Sequence, residues 1–285
     1  MAKKRIETVK VTPTIAKKWM KTNRDNRPIR DTLVKSISLD MSNDEWDDNG
    51  ETIKFDENDD LIDGQHRLMG VIESGKTIEM LVIWGLPRKV QDTIDTGAKR
   101  TFADNLHRKG EKHALLLAAI VRKVYIWEDG LVLGKKKATS NYALTRTLEK
   151  YPNLRDAARE ASVIAQASDL LGSVVGYLWW VFSSIDEKDC KYFFRRLCDM
   201  HNSTKGNPID ALKLRLQRIK NRDYESVSDV WLTAVTIKAW NKFRKGEEWE
   251  IVDFRGGGSN PEKPPYPHGW KENSKASMDV EHQPS

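Results

Sequence analysis

Strand character in this chain stops near Thr101. Before that point, Arg5 to Val11 alternates apolar and polar residues and runs into Pro13, the pattern of a strand. Thr52 to Phe55 and Leu61-Ile62 read as two further strands, turned back on each other by Asn58-Asp59-Asp60. Ile78 to Trp84 is apolar and β-branched, which predicts a buried strand. Helical spacing fills the intervals. A short helix capped by Thr12 or Thr14 should run through Met20. A second should open at Arg27-Pro28 and carry Ile29, Leu33, Ile37 and Met41, and a third should end at Gly75. After Thr101, helical periodicity recurs over 114–127, 140–150, 154–167, 173–183, 187–202, 208–220 and 227–243, with Ser140, Asn153, Asp186, Asn207 and Ser226 as candidate caps. The expectation is an α+β chain: a small sheet-bearing domain over 1–110, an all-α domain over 111–254, and a disordered or extended tail over 255–285 that opens on Gly256-Gly257-Gly258.

Several function classes fall away at this stage. The longest apolar run, Leu170 to Phe182, is interrupted by Gly172, Ser173 and Gly176. It falls short of the roughly 20 apolar residues that cross a bilayer, so a buried helix is expected and no membrane partner. Met1-Ala2-Lys3-Lys4-Arg5 leads into a polar segment rather than an apolar signal core, so the expected location is the cytoplasm. Cys190 and Cys198 are eight residues apart, a spacing that suits neither a zinc site nor a redox pair, and buried reduced thiols are expected. No metal site is read. The net charge of +6 is mild, but its distribution is not. Residues 1–30 hold 10 Lys/Arg, residues 31–63 hold 12 Asp/Glu, and residues 188–222 hold 10 Lys/Arg against Asp189, Asp199 and Asp210. Basic helices can follow a phosphate backbone or simply face solvent.

Most of the chemistry sits in Asp63-Gly64-Gln65-His66-Arg67. A hairpin delivers the chain to Asp63, and Gly64 permits positive φ and a close approach by a ligand. The helix that starts near Gln65 turns its unpaired first-turn amides to the same spot, where its dipole favours an anion. Arg67 adds a fork of donors suited to phosphate and His66 a donor whose charge varies near neutral pH. Asp63 can cap the helix, bind ribose hydroxyls or bind a metal. Each residue also has an ordinary reading: a cap, a turn glycine, a structural histidine, an arginine paired with Glu73 or another carboxylate. A corner plugged by the protein's own side chains, with the arginine locked onto an internal carboxylate, would leave the anion no seat. The segment Asp95-Thr96-Gly97-Ala98-Lys99-Arg100-Thr101 invites the same reading, with Lys99 and Arg100 as cations and Thr101 as a cap. Asn26 and Arg27 can reach the pocket, and Trp46 can stack on a base, although a core role is the commoner fate of tryptophan.

On these residues the stretch from Glu51 to Trp84 resembles the core of the ParB/sulfiredoxin-like superfamily. The resemblance implies a small mixed-sheet domain whose strand-to-helix turn contacts nucleotide phosphates. Gly-Glu-Arg-Arg occupies that turn in ParB-type proteins and Gly-Gly-Cys-His-Arg in sulfiredoxin. Gln65 stands at the cysteine position here, and sulfinic acid repair needs the thiolate. Asn26-Arg27-Pro28-Ile29-Arg30, Glu45-Trp46 and the 95–101 segment extend the similarity to uncharacterised ParB-like proteins of bacteriophages named after the Asp-Gly-Gln-His-Arg motif. It covers about Val11 to Leu106.

Three functions compete. The first is a nucleic-acid-associated protein that binds nucleotide or DNA phosphates at the turn, with DNA backbone contacts from Arg195, Arg196, Lys213, Arg215, Arg218, Lys220 and Arg222. The second is an NTPase or nuclease on the same scaffold, using a nucleoside triphosphate with Mg²⁺ held by Asp63 and Asp95 with Asp59 or Asp60. In that segment the cluster Asp56 to Asp60 is more simply a solvated turn. The third is a protein-interaction or inhibitor role for the tryptophan-rich helices and the Pro-rich tail. The sequence leaves the oligomeric state open.

Overall fold

In the computed structural model the first strand, β1 (Arg5–Val11), matches the alternating segment at both ends. The structure describes residues 4–24, 26–94, 100–128, 137–199, 203–221, 227–257 and 259–270. Thr12 caps α1 (Pro13–Met20) by accepting from the Ile15 amide at 3.2 Å. Then come α2 (Asp31–Ser42), β2 (Thr52–Asp56), β3 (Leu61–Asp63), α3 (Gln65–Ser74) and β4 (Ile78–Leu86), followed by a 3-10 turn, Arg88–Thr93. The sheet order is β1-β4-β2-β3. β4 lies antiparallel to β1 and parallel to β2, and β2 and β3 form an antiparallel hairpin with an irregularity at Lys54/Phe55. The sheet is therefore mixed.

Its core explains why these segments take these shapes. Val11, Ile53, Phe55, Leu61, Met80 and Val82 from the strands meet Ala16, Met41, Leu68 and Val71 from the three helices. Trp19, Phe55 and Trp84 form an aromatic cluster with centroids 5.2 to 6.2 Å apart. The expected buried strand is β4, and its burial is uneven: Met80 and Val82 are buried, Leu81 and Ile83 half-buried, and Glu79 exposed. One face packs on the helices; the run of β-branched residues concealed a one-sided strand.

Two further local readings change. The helix expected from Arg27-Pro28 begins at Asp31, so residues 26–30 carry no regular secondary structure, Arg30 is extended and Ile29 lies outside the helix. Arg27 precedes a proline, which disfavours helical φ/ψ at that position. Asp56, expected in a solvated turn, has no exposed surface. It accepts from the amides of Asn58 and Asp60 at 2.8 and 2.9 Å and pairs with Arg88 at 2.9 Å.

Contacts divide the chain into two compact units, one of residues 1–101 with 136–146, the other of residues 102–135 with 147–285. The second is helical: α4 (Phe102–Arg108), α5 (Ala114–Glu128), the end of α6 (Asn141–Lys150), α7 (Leu154–Ser168), α8 (Gly172–Ile185), α9 (Glu187–Cys198), α10 (Pro208–Asn221) and α11 (Asp229–Lys245). Ser140, Asp186 and Asn207 cap as expected, whereas Asn153 makes no side-chain cap bond. α11 is capped by Ser228; Ser226 lies outside the described residues. The run from Leu170 supplies α8, buried nearly all round from Val174 to Phe182. Among the described residues no helix is long and apolar enough to cross a membrane. Phe182 stacks on Trp240 at 4.1 Å, and Phe193 and Phe194 complete that cluster. Cys190 is buried and Cys198 half-buried, both as free thiols, with burial pushing each thiol up. The described part of the tail, through Trp270, has no regular secondary structure, yet Trp270 packs on Trp127 and Trp180.

Gly176 sets the closeness of α8 to its neighbours. A Cβ there would lie 2.1 Å from Ile120 Cδ1 and 3.2 Å from Ala161 Cβ. Gly176→Leu is expected to destabilise the helical unit by about 1–3 kcal/mol through overpacking, read as an earlier urea midpoint by circular dichroism. An unchanged midpoint would contradict this contact between α5, α7 and α8.

Candidate functional site

The β2–β3 hairpin aims the chain at a corner that requires glycine. Gly64 has φ +101°, and a Cβ on it would stand 2.4 Å from Ile53 Cδ1 and 3.5 Å from an Arg67 guanidinium nitrogen. α3 starts at the next residue, so its first-turn amides, which lack intrahelical acceptors, open at this corner. The corner borders a cleft of about 350 Å³. Its lining joins Asp63–Arg67 to apolar Leu33, Ile37, Trp46, Ile62 and Ile94 and to polar Asn26, Arg27, Asn49, Glu51 and Gln91.

The motif side chains face inward more than the sequence implied. Asp63 was a candidate cap, ribose ligand or metal ligand. Instead its carboxylate accepts from Lys54 Nζ at 2.5 Å and from Arg67 at 3.3 Å, and α3 has no side-chain cap. Gln65 uses both ends of its amide: Nε2 donates to Arg27 O at 2.7 Å, and Oε1 accepts from Asn23 Nδ2 at 3.0 Å. His66 Nε2 accepts from the Arg30 amide at 3.1 Å, so that nitrogen carries no proton. Asn26 donates to Leu61 O at 2.7 Å and to Asn23 Oδ1 at 2.6 Å, and accepts from Gln91 Nε2 at 3.1 Å. Together these bonds tie Asn23, Asn26, Arg27 and Arg30 to the start of α3 and to β3. The Arg27 carbonyl and the Arg30 amide are thus satisfied by side chains of the motif rather than by helical neighbours.

Arg67 is 8% exposed. Its guanidinium donates to Thr52 O at 2.8 Å and to Asp63, and pairs with the Glu51 carboxylate. The considered partner Glu73 is not used. Nε of Arg67 is buried and finds no hydrogen-bond partner among the described residues. The arginine is therefore held on two carboxylates, one inside and one outside: the Asp63 side chain is 19% exposed and that of Glu51 57%. Arg27 is exposed and lines the cleft; Trp46 is half-buried against the core and also lines it. Arg100 and Thr101 are exposed and are not part of the cleft lining, while Asp95 and Lys99 lie outside the described residues. Of the carboxylates considered for a metal, Asp59 sits at the hairpin tip with φ +62° and Asp60 pairs with Arg24 at 3.3 Å. Among the described residues no group of three or more His, Cys, Asp or Glu is placed to hold a metal ion.

Sequence reasoning missed Glu51, Lys54 and Gln91. A signal existed for Lys54. It is the cross-strand partner of Asp63 in the hairpin register, where opposite charges pair.

In the helical unit the basic stretch divides. Arg196 binds Asp210 with two nitrogens, at 3.2 and 2.7 Å, and Lys213 is 5% exposed, donating to Asp199 O at 2.7 Å. Lys213 is corrected from a DNA contact to an internal charge, while Arg196 is half-buried and engaged with Asp210. Arg215 is half-buried over the Trp231 ring, and Lys220 is exposed but paired with Asp169 at 2.5 Å. Arg195 and Arg218 are exposed; Arg222 lies outside the described residues.

Compared with known proteins, the chain matches no family model, no curated protein and no solved structure.

Proposed function

We propose that the cleft at the Gly64 corner receives phosphate oxygens, and that the chain is a nucleic-acid-associated protein of the ParB-like type that binds a nucleotide there. One observation carries this reading: the α3 N-terminus, the exposed Arg27 and the buried Arg67 border a single cleft, and because Arg67 is already held by Asp63, Thr52 O and Glu51, a phosphate that reaches it takes the place of the exposed Glu51 carboxylate. The first-turn amides of a helix and a guanidinium are complementary to an oxyanion. Trp46 and the aliphatic lining offer a surface for the uncharged part of the ligand. The motif side chains that face inward make the corner rigid, so little ordering accompanies binding. Gln65, engaged at both amide atoms, offers no thiolate for sulfinic acid chemistry. DNA contact by the helical unit rests in this reading on Arg195 and Arg218.

Titration with ATP, CTP, GTP and UTP, with and without Mg²⁺ and DNA, tests it. At least one nucleotide is expected to bind. Arg67→Ala is expected to weaken it about 10- to 100-fold, the size of a lost charge-assisted hydrogen bond. Because Arg67 also braces Asp63 and Thr52, Arg27→Ala on the exposed lining is the companion variant and should weaken binding without lowering stability. Failure of every nucleotide, and of DNA at low salt, would remove the reading. Phosphate release in the Mg²⁺ samples would make the protein an NTPase.

A further inference from the structure

The helical unit carries a cleft of its own, a groove of about 630 Å³ between α10 and residues 249–253. Its walls bear opposite charge: Arg215 and Arg218 come from α10, Glu250 and Asp253 from the facing segment. Glu250 is answered by Lys205 at 3.7 Å. The arginines are not answered. Arg215 is half-buried, with its guanidinium 5.7 Å from the centre of the Trp231 ring, and its buried Nε has no hydrogen-bond partner. Among the described residues neither Arg215 nor Arg218 has a carboxylate or other acceptor. The facing segment is fixed at both ends. The Trp249 amide donates to Gly206 O at 2.9 Å, and Asp253 O accepts from Lys238 Nζ at 2.6 Å. Between these ties, Glu250, Ile251 and Val252 make no backbone hydrogen bond among the described residues. Leu214 and Ile251, 42% and 82% exposed, add apolar surface to the groove.

We propose that this groove docks a linear peptide segment of a partner protein, seated by backbone hydrogen bonds to residues 250–252, by apolar side chains on Leu214 and Ile251, and by one carboxylate side chain on Arg215 and Arg218. Free amide and carbonyl groups favour a peptide, because an added chain supplies the complementary row of donors and acceptors. Unanswered arginines favour a carboxylate within that peptide. Glu250 and Asp253 disfavour a nucleic acid, whose continuous negative backbone would meet both walls. The site is independent of phosphate binding at α3. A docked peptide takes Arg218 and so competes with any DNA contact made by that residue.

A panel of short capped peptides labelled with fluorescein tests the proposal. Each has a central Asp between two residues varied over Leu, Ile, Val, Met and Phe, and each is paired with its Asn counterpart. Fluorescence anisotropy is read with the full chain and with the Arg215→Gln/Arg218→Gln double variant. At least one Asp peptide is expected to bind the unaltered protein about 10-fold tighter than its Asn counterpart, and the double variant is expected to erase that difference. Arg218→Gln alone, at an exposed position, should reduce the difference and keeps the test readable if the double variant does not fold. Ile251→Ser should weaken the same peptide several-fold with an unchanged melting temperature. No binding by any peptide, or an Asp-over-Asn preference that survives the arginine variants, would overturn the proposal. Single-stranded DNA that binds more tightly than every peptide, and loses its affinity in the arginine variants, would also overturn it and give the groove to nucleic acid.

Discussion

Asp210→Ala is expected to lower the stability of the helical unit by about 3–5 kcal/mol, the cost of removing one member of a buried ion pair. Asp210 is 1% exposed and receives Arg196 through two nitrogens, the Thr204 amide at 2.8 Å, and Lys213 at 3.5 Å. Removing it opens a cavity and takes away a carboxylate that both Arg196 and the 5%-exposed Lys213 face. Burial pushes the Asp210 carboxyl up, but Arg196, the Thr204 amide and Lys213 outweigh it and hold the group below the usual carboxylate range. A depressed carboxylate stabilises the fold above its unfolded value, near 3.8, and the contribution is lost as pH falls through the folded value. The urea midpoint of the parent protein should therefore drop more steeply in acid than that of Asp210→Asn. Parallel acid profiles would contradict the assignment.

Asp56→Ala should have the second largest effect, about 3 kcal/mol, and should reach the candidate site. Arg88 is one-third exposed and can rehydrate, so the main loss is two turn amides, Asn58 and Asp60, left without their acceptor. Those amides shape the hairpin that carries β3 into Gly64. Burial pushes Asp56 up as well, and Arg88 with the two amides brings it net below its usual range. The same sign follows: stabilisation above about 3.8, lost in acid. Nucleotide titration should show weaker binding in Asp56→Ala even though Asp56 does not line the cleft. Full affinity in a demonstrably destabilised variant would mean that the hairpin does not position the corner.

The sequence displayed local features faithfully where a residue's own backbone chemistry decides the outcome. Gly64 and Gly75 bracket α3 because both adopt positive φ, and Thr12 and Asp186 start helices because their oxygens reach an amide three residues ahead. It concealed features that depend on distant partners. Pro28 locally disfavours a helix at Arg27, but nothing nearby announces that Gln65 and His66, more than thirty residues later, will bond the Arg27 carbonyl and the Arg30 amide. Lys213 looked like any other helix-surface cation until Asp199 O and Asp210 were placed beside it. Arg67 was legible as a member of the corner, but Glu51 was not. Its position before β2 gains meaning only once the α3 terminus folds back over that strand.

The pairing of β1 with β4 has a consequence for how the molecule comes into being. Arg5 lies opposite Trp84, and Val11 opposite Ile78, with every other strand of the sheet encoded between them. During synthesis the earliest strand must therefore remain unmatched until almost the whole first unit has been translated, and closing so long a loop is slow. A nascent chain arrested before Ile78 would expose an unclaimed strand edge to chaperones and to other nascent chains.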